Sequence, residues 1–425
     1  MKMGERDDVE WAALHEHLFR HEAGRMTAAL TRLFGTQNLA LAEDVVQDAF
    51  TRALEVWKFN GPPPNPAAWL MTTARNRALD VIRRERTART FAHDLTWLLE
   101  SEWTTAVVVD EAFSTEVVLA EQLRMMFSCC DPALAEPVQV ALMLNILCGF
   151  GAVEIAAAFM TGRAAVEKRI TRGKKLLAQS ERLFDLSDAE VTERLAAVHR
   201  ALYLLFNEGY HGAAATAPVR AELCQEAMRL AGLLRAHEVT RTTGTLALSA
   251  VMAMHAARLP ARQDETGRLL SFWEQDRSRW DRDLLEEGRG LLEESAHGDV
   301  VTTYHLEAAI AAVHAWAPTP ADTDWNAIVS IYDRLMNIAP SAVVALNRAI
   351  AVAERDGPDA GIAAIRAIAD VTPFRAYPFF SAALGELERR RGDEPAARLH
   401  FASAVSLARN DEERRFLERR MRAAT

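Results

Sequence analysis

Apolar residues recur three and four positions apart along almost the whole chain, and no alternating run of β-branched residues exceeds a few positions, so the pattern predicts an all-α protein. Breakers cut it into helical hairpins: Gly61-Pro62-Pro63-Pro64-Asn65-Pro66, Asp131-Pro132, Gly149-Phe150-Gly151, Pro318-Thr319-Pro320, Gly357-Pro358 and Thr372-Pro373 read as turns or linkers. The stretch Leu39 to Trp57 places Val46, Phe50, Ala53, Leu54 and Trp57 on one face and Glu43, Asp44, Gln47, Asp48 and Glu55 elsewhere, which gives a helix with an acidic open side. After it, Asn65 is a good N-cap and Pro66 fits the first position of a helix running to Arg86. One side of that helix is core: Ala67, Leu70, Met71, Ala74, Ala78, Val81 and Ile82. The other carries Trp69, Thr72, Thr73, Asn76, Asp80, Arg83 and Arg84.

A second constellation lies downstream. Glu154-Ile155-Ala156 opens a short helix, Thr161-Gly162 can turn, and Val166 and Ile170 restart an apolar stripe ten positions after the small Ala156, the spacing of a helix-turn-helix. Val166, Ile170, Gly173 and Leu177 are expected inside; Ala165, Lys168, Arg172 and Lys175 face outward with Arg169 alongside. Near the end, Leu384-Gly385, Gly392-Asp393, Ala397, Phe401 and Ala404 sit at the spacings of a tetratricopeptide (TPR) helix pair, and Gly357-Pro358-Asp359 with Ala363 echoes them one unit earlier. Two such units need more surface to bury their faces, and helices upstream of Pro340 would supply it.

Length and charge sharpen this picture. At 425 residues the chain exceeds one ordinary core. Its net charge of −10 argues against a protein that coats nucleic acid along its whole surface, so any such site is a local basic island. Two islands exist: six arginines from Arg75 to Arg89 against Asp80 and Glu85, and seven basic residues from Arg163 to Arg182 against Glu167 and Glu181. Between them, from Thr87 to Glu116, Arg89 faces Asp94, Glu100, Glu102, Asp110, Glu111 and Glu116, an acidic tether. Two basic islands flanking an acidic linker in an acidic protein suggest nucleic-acid binding. Trp69 beside cations reads as a stacking platform for an unpaired base, or as a tryptophan packed on a neighbouring helix.

Other classes find little support. The charged start from Met1 to Asp8 is no signal peptide, and the most apolar run, Val140 to Val153, would span only about 21 Å as a helix, short of a bilayer core. A cytoplasmic protein without membrane contact is expected. Cys129, Cys130, Cys148 and Cys224 have neither zinc nor disulfide-framework spacing and read as buried thiols. There is no Walker sequence, HExxH or GxSxG, and Glu208 and His211 lack an evident third ligand, so no enzyme, metal or cofactor is expected. Trp273 and Trp280 read as core.

The combination resembles a known family. Leu41-Ala42-Glu43-Asp44-Val45-Val46-Gln47-Asp48-Ala49-Phe50, then Trp69-Leu70 and Ala74-Arg75-Asn76-Arg77-Ala78-Leu79-Asp80, is similar to region two of bacterial sigma-70-type factors of the extracytoplasmic-function (ECF) group, and Glu154 to Leu177 resembles their region four. Leu204 to Tyr210, Gln275 to Trp280 and Leu346-Asn347-Arg348-Ala349 look like the ECF subgroup with a long helical, TPR-containing extension. The resemblance implies region two over 8–86, the linker over 87–116, region four over 117–182, a helical extension over 183–340 and TPR-like repeats over 341–425. It implies that Asp44, Gln47 and Asp48 dock on the β′ clamp helices of core RNA polymerase. The loop Phe59 to Asn65 with Trp69, Asn76, Asp80, Arg83 and Arg84 would capture the melted minus-ten element of promoter DNA. Ala165, Lys168, Arg169, Arg172 and Lys175 would read the minus-thirty-five element. The extension is left with an intramolecular partner, a peptide or polymerase itself. A helix-turn-helix regulator on a TPR scaffold, outside the sigma group, would share the second island but has no need of the acidic docking helix or the Trp69 face.

Overall fold

The computed structural model describes residues 22–88, 110–158, 161–179, 186–211, 219–374 and 377–423. Among these the regular elements are helices, with a single isolated β-bridge between Gln263 and Leu269. The chain divides into two compact units, one comprising residues up to Leu205 with Ala236–Thr240, the other Phe206–Arg235 with Arg241–Thr425.

The first unit begins with α1 (22–34), α2 (Leu39–Asn60) and α3 (Pro66–Ala88). Asn65 caps α3 as its sequence demands, its Oδ1 accepting from the Ala68 N–H at 3.0 Å. The three helices share one core, in which Met26, Leu30 and Phe34 meet Val46, Phe50, Trp57, Leu70, Ala74, Ala78 and Ile82. Burying each large side chain of this set contributes about 1.5–3 kcal/mol. Leu54, expected on the core face of α2, is 47% exposed, because it lies past the edge of the stripe formed by Val46, Ala49, Phe50, Ala53 and Trp57. Of the acidic tether, 89–109 lies outside the described residues; α3 continues to Ala88, and helix resumes as α4 (Thr115–Cys129), capped by Ser114.

Next come α5 (Glu136–Ile146), α6 (Ala152–Ala158) and α7 (Arg163–Gln179). Gly173 lets α7 press on α5, since a Cβ there would stand 2.6 Å from Leu142 Cδ1. The same device operates between α1 and α5: a Cβ on Gly24 would reach within 2.1 Å of the Leu147 carbonyl oxygen. Arg32 of α1 donates to Glu121 of α4 at 2.7 Å, and Glu121 is almost wholly buried. The stretches read as two sigma regions therefore pack together inside this unit.

The division between units falls within α8 (Asp188–His211). The second unit continues with α9 (Ala221–Ala236), α10 (Thr243–Ala256), α11 (Arg282–Ser295), α12 (Thr303–Trp316) and α13 (Trp325–Ile338). The helix α10 is buried nearly all round and serves as its spine, with α11 and α12 packed against it. Glu208, considered with His211 as a ligand pair, instead lies buried beside Arg220 at 3.9 Å. Trp280 is buried as expected, whereas Trp273 is 47% exposed and stacks obliquely with Trp325 at 6.2 Å. Two helix pairs follow: α14 (Ala342–Asp356) with α15 (Pro358–Arg366), and α16 (Pro378–Arg391) with α17 (Glu394–Ser406). Gly357 and Gly392 turn them at φ 94° and 88°, and the last helix is α18 (Asp411–Arg422).

Candidate nucleic-acid interface

On α2, positions i, i+3 and i+4 share a face, and Asp44, Gln47 and Asp48 are all exposed opposite the buried Val45, Val46 and Ala49. Their surroundings differ. Asp48 accepts from Arg77 Nε of α3 at 2.7 Å, while Asp44 has no ion pair among the described residues. The neighbouring Glu43 accepts from Lys174 Nζ of α7 at 2.6 Å, a contact across 131 residues of sequence. Neither Arg77 nor Lys174 was legible as a partner from spacing, because both pairs join different helices.

On α3, Asn76, Asp80, Arg83 and Arg84 are exposed. Trp69 is half-buried and meets Trp57 edge to face, with centroids 5.2 Å apart at 62°. The packed alternative for this tryptophan thus holds for the part of it that lies against the core of α1 to α3. Arg75 is drawn away to Asp110 at 2.8 Å. Just beyond, Phe59 is 83% exposed at the end of α2, where Gly61 turns the chain with φ 70°. The sequence signal for Phe59 was only its place beside the proline-rich loop.

On α7 the separation is cleaner. Val166, Gly173 and Leu177 are buried and Ile170 half-buried, whereas Ala165, Lys168, Arg172 and Lys175 are exposed and Arg169 half-buried. No described carboxylate pairs with Lys168, Arg169, Arg172 or Lys175. The turn before it is held by the Thr161 N–H donating to the Ala156 carbonyl at 2.9 Å. Met160 lies outside the described residues.

Nothing at these faces resembles a reaction centre. The four cysteines are buried, and burial pushes the Cys130 and Cys224 thiols up to about 12, so they stay protonated. No group of three His, Cys, Asp or Glu among the described residues could hold a metal ion. No described helix is long and apolar enough to cross a membrane.

Comparison with known proteins fits this geometry. Residues 18–88, the stretch that forms α1 to α3, match sigma-70 region 2. The ECF RNA polymerase sigma factor SigK of Mycobacterium sp. (strain KMS) is 26% identical over 179 residues, 40% of this chain and 83% of that protein. The chain carries the region-2 module of sigma-70-type factors. Sigma-70-type factors as a family are not an enzyme class and act with core RNA polymerase and promoter DNA. The match over α1 to α3 supports a sigma role over a regulator outside the sigma family. Much of the chain goes further than that match. An uncharacterized protein of Rhizobium meliloti (strain 1021) is 37% identical over 392 residues, 92% of this chain and 90% of its own length, so the two belong to one family that includes the second unit. Residues 194–296 match a family of unknown function, DUF6596. No solved structure matches the chain.

Proposed function

We propose that the chain is a sigma factor of the ECF type that works in the cytoplasm, where it joins core RNA polymerase and directs it to a promoter. Region two spans 8–86, a linker 87–116 and region four 117–182. Asp44, Gln47 and Asp48 dock on the β′ clamp helices; Trp69, Asn76, Asp80, Arg83 and Arg84 hold the opened minus-ten element. The α6–turn–α7 segment is a helix-turn-helix whose Ala165, Lys168, Arg169, Arg172 and Lys175 meet the minus-thirty-five element, the first residues at base edges and the later cations on phosphate. The observation that carries this reading is the solvent-facing row Lys168, Arg172 and Lys175 in the same unit as the region-2 helices. Run-off transcription with core enzyme on a pool of promoter fragments tests it. Promoter-specific transcripts that depend on the chain are expected. DNA binding without any such transcript would overturn it.

The extension, 183–340 with TPR-like hairpins over 341–425, is proposed to act on initiation, either by covering the basic face of α7 or by holding the initiation complex together. The acidic charge of the chain outside its two islands supports covering. A chain truncated after Asp185 distinguishes them: higher promoter activity than the full chain supports covering, and lost activity with intact folding makes the extension a required part.

A further inference from the structure

Arginines of the second unit are typically met by carboxylates. Arg229 pairs with Glu226, Arg235 with Glu287, Arg241 with Glu294, Arg268 with Asp264 and Arg348 with Asp333, all within 2.9 Å. Three half-buried arginines break this rule together. Arg258 follows the end of α10, Arg262 lies four residues on, and Arg277 sits in the loop before α11. No described carboxylate lies within ion-pair distance of any of them, and the undescribed 212–218, which follows α8, contains no acidic residue.

Aromatic rings and backbone supply their close contacts, and the one carboxylate felt by Arg277, that of Asp322, acts from beyond ion-pair distance. The Arg258 and Arg277 guanidiniums lie over the same two rings, Phe272 at 4.7 and 5.3 Å and Trp280 at 5.5 and 4.8 Å. Arg262 lies over Tyr210 at 4.4 Å and donates to its carbonyl, near the C-terminus of α8, at 3.0 Å. Arg277 donates to the carbonyls of His314 and Ala317 at the C-terminus of α12. Arg258 Nε donates to the Gln275 side chain at 3.2 Å. These contacts leave polar atoms buried and unpaired: Arg277 Nε and Nη2, Arg262 Nε, Trp280 Nε1, and Nδ1 of both His255 and His314. Desolvating cations without an opposite charge is costly, and unpaired donors add to that cost. The histidines register the resulting field. Burial first, then the neighbouring arginines, lowers His255 to about 3 and His314 to about 4.

We propose that the Arg258, Arg262 and Arg277 cluster, with Trp280 and the two histidines, binds a small oxyanionic ligand carrying phosphate or carboxylate groups. Such a ligand supplies the missing charge, and the guanidinium forks suit bidentate recognition of either group. The site lies in the segment matched to the family of unknown function, apart from His314, and does not depend on the proposed role in transcription.

The test is calorimetric titration of the full chain with pyrophosphate and, separately, with citrate, at constant ionic strength with chloride as control. Saturable binding of at least one is expected, and which one binds distinguishes a phosphate from a carboxylate ligand. Arg258→Gln and Arg277→Gln should each weaken it by about tenfold or more, the scale of a lost charge-assisted hydrogen bond. Arg355→Gln, at an exposed pair with Asp356, should leave binding unchanged. If either glutamine variant loses helicity, lysine at that position keeps the charge without the fork and should still bind several-fold more weakly. No saturable binding by the unaltered chain, or equal binding by folded variants at Arg258 and Arg277, would overturn the proposal.

Discussion

The helices α3 and α7 are built alike, each with one core side and one side rich in arginine or lysine, yet their basic sides stand in different states. On α7, Lys168, Arg172 and Lys175 face solvent without a described carboxylate partner. On α3, Arg75 and Arg77 are engaged by Asp110 and Asp48, and Trp69 leans on Trp57. The outward cations of α7 carry no such pair, whereas Arg75 and Arg77 of α3 would have to exchange theirs before meeting another partner, although Arg83 and Arg84 further along α3 are exposed. Those pairs are largely solvent-exposed, so exchanging each costs only about 0–1 kcal/mol. The lesson is that charge counting makes the islands similar, while the positions of the paired residues differ: Arg75 and Arg77 lie mid-helix on α3, whereas on α7 the pairs fall to Arg163 and Lys174 and spare the row Lys168, Arg172 and Lys175.

The strongest way to break this comparison is to remove the open face. Replacing Lys168, Arg172 and Lys175 together by alanine should weaken binding to duplex promoter DNA by on the order of a hundredfold at low salt and reduce the salt slope by about three contacts. Arg172→Ala alone should reduce it by about one. An unchanged slope, read from binding isotherms at several salt concentrations, would take α7 out of the DNA interface.

A second test concerns the unit that holds both faces. Gly24→Ala places a methyl against the Leu147 backbone and should cost about 1–3 kcal/mol of stability, measured by denaturant unfolding. Lys174→Ala, which removes only the part-exposed pair to Glu43, should cost under about 1 kcal/mol. Equal effects of the two would show that charge, not close packing, joins α1 and α2 to α5 and α7.

Trp69→Ala sharpens the contrast from the other side. Losing the edge contact with Trp57 should cost about 0.5–1.5 kcal/mol of stability. Losing a stacked base should remove about 1–3 kcal/mol from the open complex while duplex binding stays nearly intact. Normal permanganate footprints of the melted region would leave Trp69 with a packing role alone.

The smallest expected effects are on the acidic face. Asp44→Arg should weaken core polymerase binding by about tenfold with stability changed by under about 0.5 kcal/mol. Asp48→Arg should do the same but also set two arginines against each other at Arg77, so its stability loss should be the larger of the two. If neither changes polymerase affinity in a pull-down titration, α2 is not the docking helix.

Which residues face in and which face out was determined by the sequence for most of these elements. The three-and-four spacing of Leu70, Ala74, Ala78 and Ile82, or of Val166, Gly173 and Leu177, has one burial solution on a helix, and Asn65 before Pro66 leaves little doubt where α3 starts. Leu54 and Trp273 escaped because a residue at the edge of a stripe is buried only if a neighbour reaches it. Pairings between helices were decided by the tertiary structure alone. Glu43 with Lys174, Asp48 with Arg77, and three arginines gathered over Phe272, Trp280 and Tyr210 depend on how distant segments pack. Helical periodicity is local and written into spacing, whereas the partner of a charge is whatever side chain the fold brings within a few ångströms.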